Sequence, residues 1–205
     1  MITDINPAPF MKWNTSNGHS PLAEFFNQIH PLPDSAMTIV DNGTFPVSVP
    51  RGKFLIKPGN TDDQYYLILK GAMRAYIKEE GKEITTWINE ENEIVGSIRS
   101  LGRNTPCEEY IQAIEDTELI GISYSLVQSL YEQFPEANII DRKILEESYR
   151  DAEERAFISR IPSAEKKYKR FIETRPQLLN RVSLKYIASY LGMTLETMSR
   201  VRSRK

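Results

Sequence analysis

The sequence predicts an α+β fold: an N-terminal antiparallel β jelly roll, one long helix and a C-terminal helix-turn-helix. Three observations lead there. From about Thr38 to Ser123, short runs rich in β-branched and aromatic residues alternate with turns marked by glycine and proline. From Tyr124 onward the apolar period is helical, and Glu136–Ile161 contains neither glycine nor proline. Near the end, two short helical periods meet at Gly192.

The totals fit such a fold. The chain has 205 residues, 40% of them hydrophobic and 26% charged, enough for a substantial core in one or two domains. No apolar run reaches the length of a membrane span, and the opening M-I-T-D-I-N-P lacks a signal pattern, so a cytoplasmic protein with no membrane partner is expected. Cys107 is the single cysteine, which excludes an internal disulfide or a cysteine-held cluster. Both histidines, His19 and His30, precede the strand region. A histidine-ligated metal in the roll, as in enzymes of this architecture, is therefore not expected, and no metal, cofactor or enzymatic activity is assigned.

Residues 1–19 are polar and rich in Pro and Asn, and read as a flexible arm. Ser20-Pro21 opens a helix, with serine as the cap and proline at the first helical position. Leu22, Phe25, Phe26 and Ile29 give it an apolar stripe, and Pro31 and Pro33 end it. Strands are expected over Phe45–Val49, Lys53–Lys57, Tyr65–Leu69, Met73–Lys78, Ile84–Asn89, Tyr110–Ile114 and Leu119–Ile122, with a hairpin tip at Glu80-Gly81-Lys82. Such a series forms an antiparallel sandwich or barrel, a jelly roll being favoured. A roll with its flanking helices thus spans 20–135.

Ser125–Gln133 reads as a short amphipathic helix before Pro135. The helix 136–161 would run about 37 Å, more than a compact domain covers. Ile140, Ile144, Ser148, Ala152 and Ala156 recur along it as a pairing seam, with Leu145 and Tyr149 beside them, so it is expected to be the spine of a homodimer. The alternative is a charged interdomain helix touching only its own roll. Ser163 caps a further helix to Thr174, which opens the terminal domain, 162–205.

In that domain Leu184, Ile187, Ala188 and Leu191 share one helical face, as do Met198 and Val201 after the break. Gly192 stands where left-handed backbone is needed, Met193 can plug the corner and Thr194 is a good cap. Small Ala188 lets the second helix cross closely. The pattern fits a DNA-binding helix-turn-helix better than an ordinary helical hairpin, and the charge agrees. From Arg160 to Lys205, twelve Lys/Arg stand against three Glu, a net of +9, whereas the preceding residues carry fourteen against twenty-five, a net of −11. Basic segments of this kind neutralise phosphates.

R-G-K-F-L-I-K-P-G (Arg51–Gly59), Y-Y-L-I-L-K-G (Tyr65–Gly71), G-K-E-I-T-T-W-I (Gly81–Ile88), Y-I-Q-A-I-E-D-T-E-L (Tyr110–Leu119) and the stretch Asn180–Arg200, in this order, resemble the Crp/Fnr superfamily of bacterial transcription regulators, the last stretch resembling especially its Bacteroidetes-type members. The resemblance covers nearly all of the chain beyond residue 20. It implies a homodimer that reads pseudo-palindromic double-stranded DNA, with Thr194–Arg204 as the recognition helix, a small-molecule effector sensed by the roll, and RNA polymerase as a further partner. By motif position Glu196 and Arg200 would read bases, as a carboxylate can accept from cytosine and arginine can pair bidentately with guanine. Thr194, Thr197, Ser199, Lys185, Arg202 and Arg204 complete the expected contacts, mostly to phosphates. Leu195 departs from a position often polar in the family.

The effector pocket departs more. Members that bind cyclic nucleotides carry F-G-E and, about ten residues on, an arginine for the phosphate. Here Gly96 is kept, Ser97 stands at the glutamate, Ile98 follows, and Cys107 or Glu108 stands at the arginine. A carboxylate there would repel a phosphate, so cyclic AMP is not the expected ligand. One cysteine and a roll without histidine equally disfavour iron–sulfur and haem sensing. Cys107, beside Glu108 and Glu109, is expected to be a bland thiol rather than a redox sensor. The rival reading is a ligand-binding or protein-interaction module with a vestigial helix-turn-helix, since the chain ends just after the recognition helix with little room for a wing. The retained basic residues argue against it.

Overall fold

The computed structural model describes residue 13 and residues 18–203. Helix α1 (Pro21–Ile29) starts as its sequence requires: Ser20 Oγ accepts the Ala23 N–H at 3.1 Å, and Leu22, Ala23 and Phe26 turn inward. A second helix, α2 (Asp34–Gly43), follows where the strand pattern was expected to begin. Thr38-Ile39-Val40 is a β-branched run, but Ala36, Met37 and Val40 form one buried helical face, and burial outweighs local propensity. Asp41 ties α2 to the chain before it. Its Oδ2 lies 2.7 Å from His19 Nδ1, its Oδ1 accepts the Ser20 N–H, and its carbonyl accepts the Trp13 indole N–H at 3.2 Å. The described part of the expected arm is therefore docked; its other residues lie outside the described ones.

Eight strands follow: β1 (Thr44–Val49), β2 (Phe54–Ile56), β3 (Gln64–Lys70), β4 (Met73–Glu79), β5 (Lys82–Asn89), β6 (Ile94–Val95), β7 (Tyr110–Ala113) and β8 (Thr117–Ser123). Seven match the expected runs; the two-residue β6 is too short to leave a periodic signal. All pairings are antiparallel, in two four-stranded sheets ordered β1-β8-β3-β6 and β2-β7-β4-β5, as in a jelly roll. The β4–β5 hairpin turns at Glu80 and Gly81, both at positive φ, the geometry a tight two-residue connection demands.

Strand β3 explains why Y-Y-L-I-L reads as an unbroken apolar run. Tyr66 and Ile68 face the interior of the roll with Val49, Ile111 and Leu119, whereas Leu67 faces outward onto α1 and α2 with Ile120 and Ile122. A sheet covered on both sides loses simple alternation.

Helix α3 (Tyr124–Gln133) is capped by Ser123 Oγ, and Pro135 then starts α4 (Pro135–Arg160), whose first turn has no need of its missing N–H. Ala137 and Ile140 join the outer core of the roll, and Ile158 at the other end joins the terminal domain. Helix α5 (Ala164–Thr174), a 3-10 turn (Pro176–Asn180), α6 (Leu184–Tyr190) and α7 (Leu195–Ser203) build that domain. Its core of Phe171, Leu178, Ile187, Leu191 and Met198 is continuous with Ala72, Ile88 and Ile114 of the roll. Among the described residues no helix is long and apolar enough to cross a membrane.

Candidate nucleic-acid interface

The α6–turn–α7 unit is fixed from inside. Gly192 has φ +64°, and an added Cβ would meet nothing nearer than Lys167 Nζ at 3.7 Å, so backbone conformation and not space requires glycine. Thr194 Oγ1 accepts the Thr197 N–H at 3.2 Å, the cap its position predicts. Lys167 Nζ donates to the Leu191 carbonyl at 2.9 Å, closing the end of α6. Met198 and Val201 are buried against Ile187 and Ala188. The opposite face of α7 is thereby turned outward: Thr194, Glu196, Ser199, Arg200 and Arg202 are exposed, as is Lys185 on α6, and Thr197 is half-buried. Arg204 lies outside the described residues. Glu196 is held below the usual carboxylate range by a backbone hydrogen bond at the start of α7 and one from Thr194, so it helps cap the helix as well as facing out.

The basic surplus of this domain is partly spent internally, which the charge count did not reveal. Arg181 forms ion pairs with Glu90 at 3.3 Å, Glu91 at 2.8 Å and Glu115. Arg175 pairs with Glu93 and with Asp151, the latter at 3.0 Å, and Arg170 grips Glu154 with two bonds of 2.6 and 2.7 Å. Beside them Arg74 of β4, 2% exposed, lies between the rings of Tyr76 and Tyr186 at 4.1 and 3.7 Å, and bonds Glu83 and Gln112. Ser189 Oγ accepts the Thr85 N–H and donates to the Glu83 carbonyl, each at 2.9 Å. Apart from Arg170 with Glu154 and Arg175 with Asp151, which reach α4, these contacts join the terminal domain to the roll. The Glu90–Glu93 loop beside an excess of arginine was the available signal, but composition cannot say which charges meet.

The expected pairing seam divides. Ile140 is 3% exposed and belongs to its own subunit's core, and Ile144 packs partly against it. Ser148, Ala152 and Ala156 are exposed. The large apolar side chains of α4 turned outward are Leu145 at 58%, Tyr149 at 71% and Phe157 at 54%, the last beneath the Arg170 guanidinium. Leu145, Tyr149, Ala152 and Ala156, alternately four and three residues apart, form the outward stripe, with Ser148 beside it. The correction has a simple cause: four-residue spacing drifts around a 3.6-residue helix, so the five expected positions cannot share one face for the whole length.

The five effector-pocket candidates do not share one environment either. Gly96 lies where a Cβ would stand 2.9 Å from the Gln64 carbonyl. Ser97 is buried and hydrogen-bonded to Ser100. Cys107 is buried and its thiol donates to the Glu109 carbonyl. Ile98 and Glu108 face solvent, Glu108 pairing with Arg99 at 3.0 Å. No cation stands among the five; of the two arginines between them, Arg99 is engaged by the Glu108 carboxylate and Arg103 is exposed. These residues do not suit a cyclic phosphate.

Comparison with known proteins adds independent findings. The family model described as cyclic nucleotide-binding domain matches residues 46–134. The chain is 24% identical over 166 residues to the transcriptional activator protein Anr of Pseudomonas protegens, covering 75% of this chain and 67% of that protein. FixK2 from Bradyrhizobium japonicum superposes with a TM-score of 0.68 at 19% identity, covering 78% of this chain and 83% of its own. A protein of the crp/fnr family from Eubacterium rectale does so at 0.67 and 17%, covering 88% and 87%.

Proposed function

We propose that this chain is a member of the Crp/Fnr superfamily and a transcription regulator that binds pseudo-palindromic duplex DNA as a homodimer, a reading that its similarities support. The observation that carries the reading is the outward face of α7. A helix held by a buried Met198–Val201 face presents Thr194, Glu196, Ser199, Arg200 and Arg202 together, with Lys185 alongside on α6. Such a helix fits the major groove, Arg200 and Glu196 reading base edges and the hydroxyls and remaining cations holding phosphates.

Pairing would run along the outward stripe of α4 and relate two recognition helices by one axis. The roll would sense a small molecule other than cyclic AMP, and contact with RNA polymerase would follow from action at promoters. The vestigial reading is not favoured, because the exposed cations of α7 have no evident structural task. DNA selected from a random pool by the purified protein should converge on an inverted repeat with half-sites about 10 bp apart. Failure to enrich any repeat would overturn the proposal.

A further inference from the structure

On the side of sheet β1-β8-β3-β6 away from the roll interior, helices α1 to α4 enclose a chamber of about 100 Å³. Leu22, Val40, Leu67 and Ile122 in its lining are all buried. The lining also includes Ile98, 70% exposed, and Leu145 and Ser148 of α4, also exposed, so in the single subunit the chamber opens there, at Ile98 and beside the face of α4 proposed for pairing. This is not the nucleotide position of the family's domain: Leu67 points outward, and Ser97 and Cys107 do not line it.

One polar feature distinguishes the chamber from a packing defect. Asp141 is the single charged side chain of the lining, with no lysine or arginine beside it there. Tyr131 and Tyr65 lie on the same lining, and both phenols feel the Asp141 carboxylate. Burial, then this carboxylate, push both phenols up, so they stay donors at neutral pH. An apolar space large enough for about one ring, edged by one carboxylate with no cation on the lining, suits a molecule with an apolar body and a positive head.

We infer that the chamber is a binding site for a compact aromatic or alicyclic amine, its ring among Leu67, Ile122 and Ile140 and its ammonium on Asp141. The site is independent of the DNA reading and would stand if that reading failed.

Benzylamine, with benzyl alcohol as its neutral counterpart, tests this in full-length protein carrying labelled isoleucine methyls. Benzylamine should shift the methyls of Ile94, Ile122, Ile140 and Ile144 saturably, leave Ile68 and Ile111 of the roll interior in place, and bind about tenfold tighter than the alcohol, a factor suited to a partly exposed charge pair. Asp141→Asn should bring the two ligands to near parity while the ring still binds. Absence of saturable shifts, shifts centred on Ile68 and Ile111, equal binding of both ligands to wild type, or an amine preference that survives Asp141→Asn would each overturn the inference.

Discussion

Arg200 and Lys185 are both exposed cations, to which the proposed reading gives different work. Arg200→Ala should weaken the preferred duplex by about 1–3 kcal/mol and relax discrimination at one base pair per half-site. Lys185→Ala should weaken all sequences alike and flatten the salt slope by about one unit for each phosphate it no longer neutralises. Titrations on selected and scrambled duplexes separate them; an equal weakening of both by Arg200→Ala would place that arginine on a phosphate. Gly192 is a second residue with a single task. Since an added Cβ would make only an ordinary contact with Lys167 Nζ, Gly192→Ala tests chiefly backbone conformation and should cost about 1–2 kcal/mol in denaturant titration. An unchanged midpoint would mean the turn tolerates another conformation. The turn glycine and the exposed basic positions were legible in the sequence, because each leaves a local pattern. Arg74 was not: its cage of Tyr76 and Tyr186 joins residues more than a hundred positions apart, and nothing local marks such a meeting.

At the scale of elements, α4 gives the sharpest contrast between sequence and structure. Its length and its freedom from breakers were readable, but which face pairs depended on which residues its own roll had already claimed. Ile140 packs with Val127 and Leu130 of α3, whereas Leu145 remains outside. Leu145→Asp should therefore weaken dimerisation by several kcal/mol, about 3 or more for an uncompensated buried charge, while leaving the monomer folded. Ile140→Asp should instead lower the unfolding midpoint of the subunit itself. Sedimentation and thermal melts of the two variants distinguish these outcomes, and the reverse pattern would restore Ile140 to the interface. Helix α2 shows the same limit, since its β-branched run gave a strand signal that packing against α1 and β8 overrides.

For the whole molecule, the acidic roll and basic terminal domain are halves of one electrostatic contact before they are anything to DNA. Burial pushes the Glu91 carboxyl up, but hydrogen bonds from Arg181 and backbone amides outweigh this and hold it below its usual 4.5. A carboxyl depressed by folding contributes stability above about pH 4.5, and that contribution is lost as pH falls through its folded value. Glu90, raised by burial and by Glu93, acts in the opposite sense and offsets part of the loss. The junction should loosen below about pH 4.5, splitting or broadening a calorimetric transition that is single at pH 7; one sharp transition at pH 3.5 would contradict this. The order of domains was legible because each has its own period, but their docking was not, because it depends on pairs such as Arg181 with Glu115. The cations of α7, Arg200 and Arg202, are exposed. The most direct measurement is fluorescence anisotropy of the wild-type protein on a selected duplex and its scrambled counterpart across a salt series. The account predicts one dimer per selected duplex, at least about a thousandfold preference over the scrambled one, and affinity that falls steeply with salt. Equal affinity for the two duplexes, or no binding to either at low salt, would contradict it.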